Sequence, residues 1–262
     1  EYDNYAANAG ASLTAVRANP PTFAPDLDAF EQTISEKTKV VIINSPNNPT
    51  GVIYSEEDIK GIAEVLEKKQ QAYGKDIYIL SDEPYRELVY TDKTVPYVTK
   101  YYNNTIVGYS FSKSLSLAGE RIGYVVVPSE AADSKNILAA TNVLTRTLGF
   151  VNSPALMQLV AADCIGITTD IGNYKTNRDE LYHGLSSIGY ECVEPEGAFY
   201  LFVKAPTEDD LEFSERAKSY QIALTPGRVF GAPGYFRLAY CTAHEKVKRS
   251  LPKFKELWES YR

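Results

Sequence analysis

Four short apolar runs, each closing on a polar loop, constrain this chain more than any other feature. They are Lys39-Val40-Val41-Ile42-Ile43-Asn44, Asp76-Ile77-Tyr78-Ile79-Leu80, Thr105-Ile106-Val107-Gly108-Tyr109 and Ile122 to Val127. Each has strand length and β-branched or aromatic content. Between the first two lies a segment with helical period, from about Ser55 to Gln70. It opens on Ser55-Glu56-Glu57-Asp58, which has the form of a capping box, and sets Ile59, Ile62, Ala63 and Leu66 on one face. Such alternation predicts an α/β architecture, with a mostly parallel sheet sandwiched by helices.

Further helices are predicted from about Ser129 to Leu144, Pro154 to Cys164 and Gly172 to Ser187. After Gly189 the texture changes. A strand is expected over Ala198 to Val203, a helix over Glu208 to Tyr220, a strand over Tyr235 to Tyr240 and a closing amphipathic helix over His244 to Tyr261. Gly166 and Gly172 flank Thr168-Thr169-Asp170, and a domain change is placed there. Residues 1–168 then form part of a large domain, and residues 169–262 a smaller α+β domain.

Composition narrows the function. The chain has 262 residues and a formal charge of −7. The acidic balance argues against non-specific nucleic-acid binding. No apolar run reaches the roughly 20 residues that span a bilayer. No signal peptide is visible, and the expected location is cytoplasmic. Cys164, Cys192 and Cys241 form no C-x-x-C pair and are expected to be small buried hydrophobes. His183 and His244 lack metal-ligand spacing, so no metal is expected.

The chemistry gathers where the strands end. In open α/β sheets, ligands bind outside the carboxyl ends of the strands. Asn48 follows the first strand, Asp82 and Tyr85 the second, and Ser110, Ser112 and Lys113 the third. Arg121 opens the fourth. No G-x-x-x-x-G-K-[ST] or G-x-G-x-x-G motif is present to hold a nucleotide. Pyridoxal phosphate needs a set of this kind: a lysine for its aldehyde, an acid for its pyridine nitrogen, hydroxyls and an arginine for its phosphate, and neutral donors for its ring oxygen. Each residue also has an ordinary reading. Lys113 suits a solvated loop, Asp82 a turn cap, Asn48 a proline turn and Arg121 a surface ion pair. Ser110-x-x-Lys113 matches the S-x-x-K element of serine β-lactamases, but the companion S-D-N and K-T-G elements are absent.

Taken in order, Ser45-Pro46-Asn47-Asn48-Pro49-Thr50-Gly51, Asp82-Glu83-Pro84-Tyr85, Ser110-Phe111-Ser112-Lys113, Arg121-Ile122-Gly123-Tyr124, Gly197-Ala198-Phe199-Tyr200 and Phe236-Arg237-Leu238-Ala239 resemble the class I/II aminotransferases, the aspartate-aminotransferase-like enzymes of fold type I. The resemblance implies pyridoxal 5'-phosphate as cofactor. It implies ping-pong transfer of an amino group between an α-amino acid and a 2-oxo acid through a lysine aldimine. Lys113 would form that aldimine and act as general base. Asp82 would pair with the pyridinium nitrogen, and Tyr85 and Asn48 would bond the ring oxygen. Ser110, Ser112 and Arg121 would hold the phosphate. Arg237, with Asn48 beside it, would grip the substrate's α-carboxylate with a bidentate fork that lysine does not reproduce.

The family's active site is completed across a dimer interface, so a homodimer is expected. Its N-terminal arm, Gly-containing phosphate loop and ring-stacking aromatic have no counterpart here. The stacking residue is expected just upstream of Glu1 rather than at Tyr2 or Tyr5. With no initiator Met, the chain reads as a two-domain enzyme lacking the first part of its large domain. Arg146 lies in a suggestive region for a second substrate carboxylate. Two alternatives stay open: a lyase or decarboxylase of the same fold, and the effector-sensing domain of a transcription regulator.

Overall fold

Strands rich in Val and Ile on both faces must be covered on both faces, and this demand organises the first half of the chain. A computed structural model describes residues 1–262. After a short α1 (Tyr2–Asn8) and α2 (Leu27–Thr33), β1 (Val40–Asn44), β2 (Tyr78–Asp82), β3 (Thr105–Ser110) and β4 (Gly123–Val126) form one sheet in that order. The first three are parallel, whereas β4 runs antiparallel to β3. The link from β3 to β4 holds only the one-turn α4 (Phe111–Ser114) and a 3-10 turn. A parallel return needs a longer crossover, usually a full helix.

The crossover from β1 to β2 is α3 (Glu56–Tyr73). Its capping box is complete: the Asp58 N–H donates to Ser55 Oγ at 3.1 Å, and the Ser55 N–H donates to Asp58 Oδ2 at 2.8 Å. Ile59, Ile62, Ala63 and Leu66 are buried with Ile43, Ile77, Ile79 and Phe30 in one cluster. This is the apolar face read from the spacing.

Next come α5 (Ser134–Thr147) and α6 (Ala155–Asp163). The first begins five residues later than the sequence suggests. Turns from Pro128 to Ala131 and from Ala131 to Ser134, the second holding a left-handed Asp133, delay the helix.

The second sheet has the order β5 (Cys192–Val193), β6 (Tyr200–Lys204), β8 (Tyr235–Ala239) and β7 (Thr225–Pro226), all antiparallel. Packed around it are α7 (Ile171–Ile188), α8 (Asp210–Ser219) and α9 (His244–Glu259). Leu185, Phe213, Phe236, Tyr240 and Leu257 are fully buried there.

One expectation fails. Cys164 and Cys192 are half-buried, but Cys241 is exposed, and all three are free thiols. Tyr240, the residue just past β8, points into the core, and the extended backbone turns the next residue outward.

The two halves meet along a tight seam. Gly51 has φ +74°, and a Cβ on it would lie 2.7 Å from Pro195 Cβ. A Cβ on Gly197 would lie 2.7 Å from the Leu88 carbonyl. Both contacts require glycine.

Candidate active site

The parallel register decides which residues can meet. Asn44 pairs with Asp82, and Asp82 with Gly108, so β1, β2 and β3 end at one edge of the sheet. Asn44 closes β1 and joins two of the expected site residues. Its amide donates to the Asp82 carbonyl at 2.9 Å and to Asp82 Oδ2 at 3.3 Å. Its own oxygen accepts the Asn48 N–H at 2.8 Å.

Asp82 Oδ2 also accepts the Tyr2 hydroxyl at 2.6 Å. Burial pushes the Asp82 carboxyl up; the Tyr2 hydrogen bond pulls it back in part, and the Glu83 charge adds to the rise. Burial and the Asp82 carboxylate together push the Tyr2 phenol far up, so it stays a donor.

Ser110 ends β3 and caps α4. Its Oγ accepts the Ser112 N–H at 3.1 Å and donates to Ser112 Oγ at 2.7 Å. The short helix carries Lys113, half-buried, with Nζ 5.4 Å from the Phe199 ring centroid. Arg121 comes close to this turn through its backbone, because the Phe111 N–H donates to the Ile122 carbonyl. Its guanidinium is exposed and donates to the Ala118 carbonyl at 2.7 Å. The structure therefore brings Ser110 and Ser112 together and leaves the Arg121 side chain outside that pair.

Tyr85 is buried, with its hydroxyl 3.3 Å from that of Tyr200 on β6. Burial pushes its phenol far up, the Tyr200 hydroxyl and Asp82 add to the rise, and the Arg237 charge opposes it.

Arg237, on β8, reaches across the seam. Nη1 donates to Asn48 Oδ1 at 2.9 Å and Nη2 to Thr225 Oγ1 at 3.3 Å. The guanidinium carbon lies 4.3 Å from the Tyr200 centroid and 4.8 Å from that of Phe230. Its Nε–H is buried without a partner. Arg146 is exposed in the last turn of α5 and makes no ion pair. A cleft of about 550 Å³ opens at this end of the sheet, lined by Asp82, Tyr109, Ser110, Tyr124, Leu138 and Asn142 among others.

The donor chemistry fits pyridoxal phosphate. A carboxylate faces the cleft from β2, a hydroxyl pair caps the turn at β3, and an amine, a phenol and an amide stand close by in the fold. No three His, Cys, Asp or Glu side chains are grouped to hold a metal ion. Sequence reasoning missed Asn44 and the contacts of Tyr200, and it weighed Tyr2 only as a ring-stacking aromatic and set it aside. Asn44 was visible as the polar last residue of an apolar strand. The other two make contacts that only the tertiary fold creates.

A mostly parallel sheet with this edge, seamed to a small antiparallel sheet that supplies an arginine, defines the class: the fold-type I architecture of aspartate aminotransferases. The sequence model described as Aminotransferase class I and II matches residues 1–253. The chain belongs to that family. It is 34% identical over 241 residues to the aspartate aminotransferase of Thermotoga maritima, covering 91% of this chain and 61% of the relative. It is 32% identical over 255 residues to the aspartate aminotransferase of Bacillus subtilis, covering 89% and 61%. An amino transferase structure from Eubacterium rectale superposes with a TM-score of 0.96 at 49% identity, over 100% of this chain and 66% of that one. The chain thus spans about 61% of the length of the curated relatives it matches. No helix is long and apolar enough to cross a membrane.

Proposed function

We propose that the protein is a pyridoxal-phosphate-dependent aminotransferase acting on an α-amino acid and a 2-oxo acid in alternating half-reactions. The observation that carries this reading is the Asn48–Arg237 bond, which joins the polar edge of the first sheet to an aromatic-clamped arginine on the second. When bound, the cofactor supplies an electron sink for the carbanion formed at the substrate's Cα.

The chain's residues do the rest. Asp82 holds the ring nitrogen protonated. Tyr85 and Asn48 would donate to the ring oxygen, and Ser110 and Ser112 would hold the phosphate, with Arg121 joining them once its exposed guanidinium leaves the Ala118 carbonyl. Lys113 Nζ would hold the cofactor through its aldehyde and would carry the proton taken from the substrate's Cα. Arg237 orients the substrate through its carboxylate. The Arg237 cation is half-buried between two rings, so the carboxylate it accepts is partly desolvated and its hydrogen bonds are strengthened.

We further propose that the domain change lies near residue 168, that the protein works as a homodimer and that it is cytoplasmic. The apolar side chains exposed on α5 and α6 support the homodimer.

The test adds pyridoxal 5'-phosphate to the chain, reduces with borohydride and maps the modified residue by mass spectrometry. Capture at Lys113, lost in Lys113→Ala, with amino-group transfer to a 2-oxo acid, is the expected result. Capture spread over surface lysines would refute the assignment. Release of ammonia or CO₂ without transfer would make the protein a lyase or decarboxylase.

A further inference from the structure

Tyr200 touches both halves of the site, and its hydroxyl contact belongs to none of the roles assigned above. It is 8% exposed, on β6, directly opposite Ala239 of β8. Its face supports the Arg237 guanidinium at 4.3 Å. Its hydroxyl stands 3.3 Å from the Tyr85 hydroxyl, and either oxygen can donate. Its ring also meets Tyr85 edge-on, with centroids 5.9 Å apart at 80°, and Phe199 at 4.7 Å. Phe199 in turn lies beneath Lys113 Nζ. One side chain of the second sheet is therefore in contact with the arginine that takes the carboxylate and with the phenol at the cofactor edge.

We propose that Tyr200 is a positioning residue that couples the Arg237 carboxylate site to the Tyr85 phenol. The inference rests on the carboxylate role of Arg237 given above. Its ring fixes the plane of a guanidinium that has hydrogen bonds on Nη1 and Nη2 only and a free Nε–H. A planar cation stacked on an aromatic face keeps its fork aimed while its hydrogen-bond partners exchange. The hydroxyl contact is long for an O–H···O pair, for which about 2.7–2.8 Å is usual. A carboxylate drawing on Arg237 shifts the stacked ring, and the hydroxyl pair has slack to tighten. Carboxylate binding is then felt at Tyr85 without any direct contact between ligand and phenol. The two functions separate by atom: the ring holds Arg237, and the hydroxyl relays to Tyr85.

The experiment uses the whole chain, Tyr200→Phe, Tyr200→Leu and Phe230→Leu, with maleate as an unreactive carboxylate probe. Maleate affinity is read by calorimetry. The Tyr85 ring carbon bearing the hydroxyl is followed by NMR in tyrosine-labelled protein and assigned by its loss in Tyr85→Phe.

In the parent chain, maleate binds and the Tyr85 signal moves with the same saturation. Tyr200→Phe is expected to bind maleate within twofold of the parent while the Tyr85 response disappears. Tyr200→Leu is expected to bind about tenfold more weakly, the loss for a desolvated cation–π face. Phe230→Leu weakens binding but keeps the Tyr85 response. If Tyr200→Leu does not fold, the Tyr200→Phe and Phe230→Leu pair decides.

An undiminished Tyr85 response in Tyr200→Phe overturns the relay. Unchanged affinity in Tyr200→Leu overturns the support role. No maleate binding by the parent chain overturns both, along with the carboxylate role of Arg237. Failure of borohydride capture at Lys113, with the maleate pattern intact, removes the cofactor reading and leaves the coupling standing.

Discussion

The two sheets close their cores to different degrees. Around the second, 21 buried residues form one cluster to which α7, α8 and α9 all contribute; 18 belong to the second half, and Tyr85, Leu88 and Tyr90 of the first half join it across the seam. Around the first, the main cluster has 11, all supplied before residue 103. There β4 has no buried residue, α5 has none, and α6 buries only Ala161.

Two carboxylates, one from each half, differ in the same sense. Asp210 in the second half accepts the Arg228 N–H and Nε–H, both at 2.8 Å. Burial alone would raise its carboxyl; the Arg228 bonds outweigh that and hold it below the ordinary range. Asp82 in the first half has no cation beside it, and burial leaves its carboxyl raised. Asp210 is committed to an ion pair that stabilises its own half, whereas Asp82 has no cation beside it where the chemistry is proposed.

The strongest way to break this contrast is Phe236→Ala. Phe236 is fully buried, with the rings of Phe213, Tyr190 and Phe254 within 6.4 Å by centroid. A loss of about 3–5 kcal/mol is expected. Trp258 is the only tryptophan and packs at a tilt against Tyr190, with centroids 4.6 Å apart, so its fluorescence reports on the second core. Loss of that signal at a lower denaturant concentration, with α3 still helical by hydrogen exchange, sharpens the contrast. Simultaneous loss of both regions would show the two cores to be one cooperative unit.

Asp210→Asn comes next, with about 1–3 kcal/mol lost at pH 7 as charge-assisted bonds become neutral ones. The sign follows from a folded-state pKa below the unfolded one. The stabilisation is full above the ordinary carboxylate value and is lost as pH falls through the folded value. Parent and variant melting curves should therefore converge on acidification, and a constant gap down to pH 2 would exclude the charged contribution.

Asp82→Asn gives a smaller effect of opposite sign. A folded pKa above the unfolded one means that the charged form costs stability, and the cost is relieved as pH falls toward the folded value. The variant should be at least as stable as the parent at pH 7, with the difference shrinking on acidification. A variant that melts lower at neutral pH would show that the Tyr2 and Asn44 bonds outweigh the desolvation.

Periodicity made the framework legible. The β1–α3–β2 unit, its cap at Ser55 and its four-residue apolar face follow from spacing alone, because strand and helix periods are local. The strand-end residues were legible because parallel strands deliver their termini to one edge. Two-residue strands such as Cys192–Val193 and Thr225–Pro226 carry no period and are created by their neighbours. Tyr200 was legible as part of Gly197-Ala198-Phe199-Tyr200, but its partners lie 115 residues earlier in sequence and on a neighbouring strand. The orientation of the Arg121 guanidinium was equally beyond sequence, since a left-handed backbone at φ 54° sets where that side chain leaves the turn.

The smallest expected effect tests the contrast from its other side. Leu144 and Leu148, near the end of α5, are 53% and 68% exposed. An apolar side chain in water loses little when made polar, so in dilute, dissociated protein Leu144→Ser and Leu148→Ser should each change unfolding free energy by under about 0.5 kcal/mol. Exposed apolar residues also favour association, and Val143, Phe150, Leu156 and Leu159, close by in sequence, are exposed as well. The substitutions should therefore lower light scattering at high protein concentration while leaving the melting temperature of dilute protein unchanged. A cost above about 1 kcal/mol that grows with protein concentration would mean that α5 is buried in an assembly. The first half would then be finished by association rather than left open, and the contrast would hold only for the isolated chain.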